Sequence, residues 1–136
     1  MCHEGFTLCG GSCWRLEDPT TVFLNHSAAA DHCASLGAQL AVPSSAAENQ
    51  CAACSPSANV WLGITGGATL DTFQGPDGPL TYTNWADDSG DLLGTCELYN
   101  CVNCVYMIAS DGKWRPLPCD WKSNVLCQRL DCCAQG

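Results

Sequence analysis

Residues Asp87-Asp88-Ser89-Gly90-Asp91 set three carboxylates and a hydroxyl around one glycine. Alternating oxygen groups on a turn suit a hard divalent cation, since calcium takes about six to eight oxygen ligands in a flexible shell. Glu97, Tyr99, Asn100 and Asn103 follow in the same stretch and add carboxylate, phenol and amide groups. Asp87, Asp88 and Asp91 are therefore the candidate calcium ligands, and calcium is the candidate cofactor. A solvated acidic loop explains the same residues without any ion, and it is the preferred reading. A third arrangement pairs Arg115 with one of these acids, closing the loop without metal and adding little stability if the pair is exposed.

Cys51-x-x-Cys54 and Cys101-x-x-Cys104 have the spacing of a four-thiolate zinc site. The thirteen cysteines in 136 residues point elsewhere. That density marks a disulfide scaffold in an oxidising compartment, and bridges tying the second helix or its exit to the long loop are preferred to zinc. His3, His26 and His32 have no spacing that suggests a metal or a triad. No nucleophile–base pair, carboxylate dyad or cofactor loop stands at a readable spacing, so binding rather than catalysis is expected.

The formal net charge is −9, with only five Lys and Arg. Nucleic acid and anionic membrane both require a basic patch, and neither is an expected partner. A hydrophobic content of 46% excludes intrinsic disorder. No apolar run approaches the length of a membrane span. Met1 leads directly into Cys2-His3-Glu4, so a secretory leader is expected to have been removed. The expected setting is extracellular, secreted or on a cell surface, and the expected organisation is a single domain over residues 1–136.

The elements that must position these groups can be read along the chain. Cys2 to Leu16 reads as a hairpin turning at Gly10-Gly11. Asn25 or Ser27 caps a helix running through Leu36, with Gly37 as its left-handed exit and Ala29, Cys33 and Leu36 as its inner face. Ser45-Ala46-Ala47-Glu48 opens a second helix as a capping box in which each end satisfies the other's amide. Val60 to Ile64 reads as a buried strand, Thr65 to Gly78 as loop, and Asp87 to Asn103 as a long functional loop. Val105 to Ile108, an Asp111-Gly112 turn, Lys113-Trp114 and Asn124 to Gln128 supply the closing strands. Two early helices and a hairpin-rich second half give an α+β class.

With these elements in order, the chain resembles the C-type lectin-like domain in its long form. Gly11-Ser12-Cys13-Trp14 resembles the first strand, and Ala29 to Ala41 the first helix and its exit. Trp61-Leu62-Gly63-Ile64 is similar to the family's signature tetrapeptide, usually Trp-Ile-Gly-Leu. Tyr82-Thr83-Asn84-Trp85, Cys104-Val105-Tyr106-Met107, Gly112-Lys113-Trp114, Cys119 and Cys127 complete an ordered set over nearly the whole chain. The resemblance implies two helices, a small antiparallel sheet and a long loop region. It also implies the bridges Cys2–Cys13, Cys33–Cys127 and Cys104–Cys119. Cys9, Cys51, Cys54, Cys96, Cys101, Cys132 and Cys133 then remain, an odd number. At least one is expected to be free or bonded to another chain. Cys132-Cys133 are the candidates for a disulfide-linked dimer, which electrophoresis with and without reductant would reveal. The resemblance places His26 where the family usually has Trp, implying a packing role.

Sugar-binding members hold one calcium ion with a Glu-Pro-Asn or Gln-Pro-Asp triplet, a Glu before the third-strand Cys, and a Trp-Asn-Asp. This chain departs at each place. Ala86 to Asp91 contains no proline, Val102 stands in place of the Glu, and Trp114 is followed by Arg115-Pro116. A guanidinium where oxygen ligands belong repels calcium, so the family's usual site is expected to be absent. The preferred function is glycan binding through the long-loop face, with Asp87, Asp88, Asp91, Glu97, Tyr99, Asn100, Asn103 and Arg115 as candidate contacts. Tyr106 and Trp114 offer further stacking faces, although Trp61, Trp85, Trp114 and Trp121 are expected in the core. Calcium-independent recognition of a cell-surface protein is the alternative. Ice binding, known in type II antifreeze members of this fold, ranks third because Thr65, Thr69, Thr72, Thr81 and Thr83 form no evident regular array.

Overall fold

The structure is a computed structural model that describes residues 5–18, 20–53, 59–66, 69–89 and 103–129. Strands β1 (Thr7–Cys9) and β2 (Ser12–Leu16) form the expected hairpin. Gly10 and Gly11 take its turn at φ 62° and 92°, a region that disfavours any side chain. Strand β3 (Phe23–Leu24) leads into helix α1 (His26–Ser35), which Asn25 caps by accepting from Ala28 N–H at 2.9 Å. Gly37, at φ 71°, ends it as expected.

Strand β4 (Gln39–Leu40) precedes helix α2 (Ala46–Ala53). The box at its start is only half formed. Ser45 Oγ accepts from Glu48 N–H at 3.1 Å, but the Glu48 carboxylate does not return to Ser45. Its Oε1 accepts from the N–H and hydroxyl of Ser44, and its Oε2 from Ser12 Oγ at 2.8 Å. Gln128 donates to Ser12 Oγ and accepts from Val42 N–H, so this buried polar chain joins both helix start and sheet. Such a chain is inexpensive to bury only when every member is satisfied.

Strand β5 (Val60–Gly66) continues two residues past its expected end. The following segment is not all loop: a short 3₁₀ turn at Leu70–Thr72 precedes the small hairpin β6 (Gln74–Gly75) and β7 (Gly78–Pro79). Strands β8 (Asn103–Met107) and β9 (Trp114–Pro118) pair antiparallel across Gly112, whose φ is 71°. Strand β10 (Ser123–Arg129) organises the sheet. It pairs antiparallel with β2, β3 and β4 and parallel with β5, which in turn pairs with β6 and β8. The sheet is therefore mixed rather than purely antiparallel.

Alternation along the central strands builds two cores. Val60, Leu62 and Ile64 pack with Val105, Met107, Trp114, Leu126 and, from α2, Ala52. On the opposite face Trp61, Cys104, Val125 and Cys127 pack with Ala29 and Cys33 of α1. Two buried faces explain why the run from Val60 to Ile64 is continuously apolar. Gly63 is required where β4 crosses, since a Cβ there would lie 2.8 Å from Leu40 O. Trp121, expected inside, is 58% exposed. It stands in the β9–β10 turn, outside both faces of the sheet.

His26 does take a packing role. Its ring meets the Trp61 indole edge-on at 5.1 Å, and Nε2 lies 2.8 Å from Leu62 O. Burial pushes its pKa down, against the opposing pull of the Leu62 carbonyl. In the unfolded chain the imidazole protonates at about pH 6.5. The unfolded state therefore binds the proton first, and stability falls as pH drops from there through the folded value. Denaturation of wild type and His26→Phe should show a steeper acid loss in wild type; parallel profiles refute this assignment.

Candidate functional site

Trp114 anchors the region where the sequence placed its chemistry. Its indole is fully buried and donates to Asn49 Oδ1 at 2.7 Å. Tyr82 and Trp85 contact it edge-on at 5.8 and 5.7 Å, and Phe73 meets Trp85 in turn at 5.1 Å, the arrangement that ring quadrupoles favour. Its backbone also holds the neighbouring segment. Trp114 N–H donates to Asn84 O, while Trp114 O accepts from Ala86 N–H and Ser89 Oγ, each at 2.9 Å. These bonds lay residues 84–89 against the outer side of β9, so Asp87 and Asp88 reach the surface, Asp88 beside Arg115.

Arg115 Nε donates to Asp88 Oδ1 at 2.9 Å. Tyr106 stands directly opposite Arg115 on β8. The arginine holds the Asp88 carboxyl below its ordinary pKa, and Asp88 raises that of Arg115 in return. The Asp88 side chain is 53% exposed, so the pair fixes geometry more than it adds stability.

The donor set does not fit calcium at the family's usual place. A guanidinium follows Trp114, and the nearest carboxylate is already engaged by it. Among the described residues no three His, Cys, Asp or Glu side chains gather as a metal-binding group. Asn103, a candidate contact, is buried on β8. Asp91, Glu97, Tyr99 and Asn100 lie outside the described residues, and with them the remainder of the candidate calcium site.

The bridges Cys33–Cys127 and Cys104–Cys119 are present, as the resemblance implies. Cys13 is also disulfide-bonded, while its expected partner Cys2 lies outside the described residues, as do Cys54, Cys96, Cys101, Cys132 and Cys133. A third bridge corrects one expectation. Cys51 on α2 bonds Cys9 of the N-terminal hairpin, not the long loop. With Cys51 and Cys104 both oxidised, neither thiolate spacing retains its full set for zinc. Sequence reasoning left Cys9 and Cys51 unassigned because spacing along a chain carries no pairing information.

The chain has counterparts among known proteins. The Lectin C-type domain family matches residues 24–129. The chain belongs to the C-type lectin domain family. Bovine (Bos taurus) pulmonary surfactant-associated protein D is 34% identical over 100 residues, covering 71% of this chain and 26% of that protein. The chain thus spans about a quarter of that relative's length. The mouse scavenger receptor C-type lectin carbohydrate-recognition domain superposes with a TM-score of 0.78 at 21% identity, covering 95% of this chain and 98% of that one. The cow CD23 C-type carbohydrate-recognition domain gives 0.77 at 23%, covering 96% of each chain. A calcium-independent type II antifreeze protein gives 0.75 at 24%, covering 95% of this chain and 94% of that one. At these identities the structural likenesses establish the C-type lectin fold.

Proposed function

We propose that this C-type lectin domain is a non-catalytic extracellular recognition module that binds a glycan at the face around Arg115, without calcium at the family's usual position. The Arg115–Asp88 pair carries the reading, because it puts a satisfied cation where the metal's oxygen ligands would stand. Two structural neighbours described as carbohydrate-recognition domains favour glycan as the ligand class. Without a metal, the affinity rests on hydrogen bonds from Arg115 and on stacking against Tyr106, which stands partly exposed opposite it. Protein recognition is the second reading, favoured by the exposed apolar side chains Phe23 and Trp121.

A glycan array probed in calcium and again in chelator tests this. Binding that survives chelator is expected, with Arg115→Ala weakening it about ten- to a hundredfold through loss of a charged hydrogen bond. Binding abolished by chelator overturns the proposal in favour of a relocated metal site. Absence of any glycan binding favours the protein reading.

A further inference from the structure

Helix α1 carries His26, Ala30 and Ala34 at successive four-residue steps, one row along its surface. Gly63 and Thr65 of β5 face that row, and Gly75 of the small hairpin closes the far side. Together they line a cavity of about 330 Å³ whose walls are mainly apolar and carry no charged side chain. Small residues create this space, and Gly63 is held small by the crossing of β4.

Gln39, Thr65 and Gln74 also line the cavity, but His26 is its one buried polar side chain. The residue is 8% exposed and forms part of the wall. A carbonyl oxygen only accepts, so the Leu62 O contact at 2.8 Å places the ring proton on Nε2. The neutral ring then has a bare lone pair on Nδ1, and no described residue donates to it. Burial keeps the ring neutral, preserving that acceptor.

We propose that this cavity binds a neutral molecule with a slim, linear apolar body and one terminal hydroxyl, such as an aliphatic alcohol, whose O–H donates to His26 Nδ1. The volume falls at the small end of the range for ligand pockets. The row from His26 to Ala34 runs about 12 Å along the helix, the reach of a straight chain of roughly eight carbons. The lining offers a charged ligand no opposite charge to offset the hydration it would shed. The site is separate from the Arg115 face and does not depend on what binds there.

Amide NMR titration with 1-octanol, and with octyl methyl ether as a donor-free control, tests the proposal. The alcohol is expected to shift amides of α1 and of Gly63 to Thr65, and to bind about three- to tenfold more tightly than the ether. Ala34 is exposed on the helix, so Ala34→Leu is expected to fold normally, fill the groove and abolish octanol binding. Shifts confined to other residues, equal binding of alcohol and ether, or unchanged binding by a folded Ala34→Leu each overturn it.

Discussion

Trp114→Ala is expected to destabilise the domain by about 4–5 kcal/mol, the largest effect of any single substitution considered for this chain. Truncating a fully buried indole leaves a cavity among Tyr82, Trp85 and the strands beneath. Loss of the indole N–H also strands Asn49 Oδ1, which costs about 1–3 kcal/mol for an unpaired buried acceptor. Domains of this size have only about 5–15 kcal/mol in total, so much of the variant's margin disappears. Trp114→Phe separates the two contributions, since it keeps most of the ring volume and loses the hydrogen bond. Guanidinium denaturation with disulfides intact should rank wild type, Phe and Ala in descending order. If Trp114→Ala costs less than about 2 kcal/mol, Trp114 is not the anchor described.

Removing the Cys33–Cys127 bridge as the double alanine variant is expected to cost about 4–5 kcal/mol. The bridge joins residues 94 apart, whereas Cys104–Cys119 joins residues 15 apart. In the chain-entropy account a loop near one hundred residues restricts the unfolded state by about 4.7 kcal/mol and a fifteen-residue loop by about 3. Both Cys33 and Cys127 are fully buried between α1 and β10, so a small packing loss adds to the difference. Thermal or denaturant midpoints of the two double variants give the comparison directly. A larger loss for the short bridge would contradict the argument.

The features legible in the sequence were those governed by neighbours along the chain. Asn25 and Gly37 bracket α1 as expected because a cap bond and a left-handed exit are settled within four residues. The apolar run at Val60 was readable for a similar reason, since a strand covered on both faces needs no polar alternation. The hairpin of β6 and β7 was not readable, because two-residue strands are too short to show any period. Glu48 was placed correctly at the start of α2, but its carboxylate turns to Ser44 and Ser12, a choice made by the tertiary approach of β2. Cys9–Cys51 depended on the same approach. At the candidate site, the pairing of Arg115 with an acid was readable as charge, and Asp88 as the partner follows from the backbone bonds to Trp114. The His26 cavity escaped notice because it is defined by what small residues leave out. Its only trace in sequence is the row of alanines four apart after the histidine.

The β2–β10 ladder has a mechanical consequence. Cys13 faces Arg129, Trp14 faces Gln128, Arg15 faces Cys127 and Leu16 faces Leu126. With the hairpin ahead of β2 anchored to α2 by Cys9–Cys51, tension drawn through the chain beyond β10 loads this ladder at one end, so it parts rung by rung instead of sliding in shear. Two rungs separate before the pull arrives at Cys127, where the Cys33 bond passes the load into α1. Covalent sulfur then carries a force that hydrogen bonds had carried singly. The interior of the sheet, and the Trp114 face within it, is shielded from a strain that has already opened its edge.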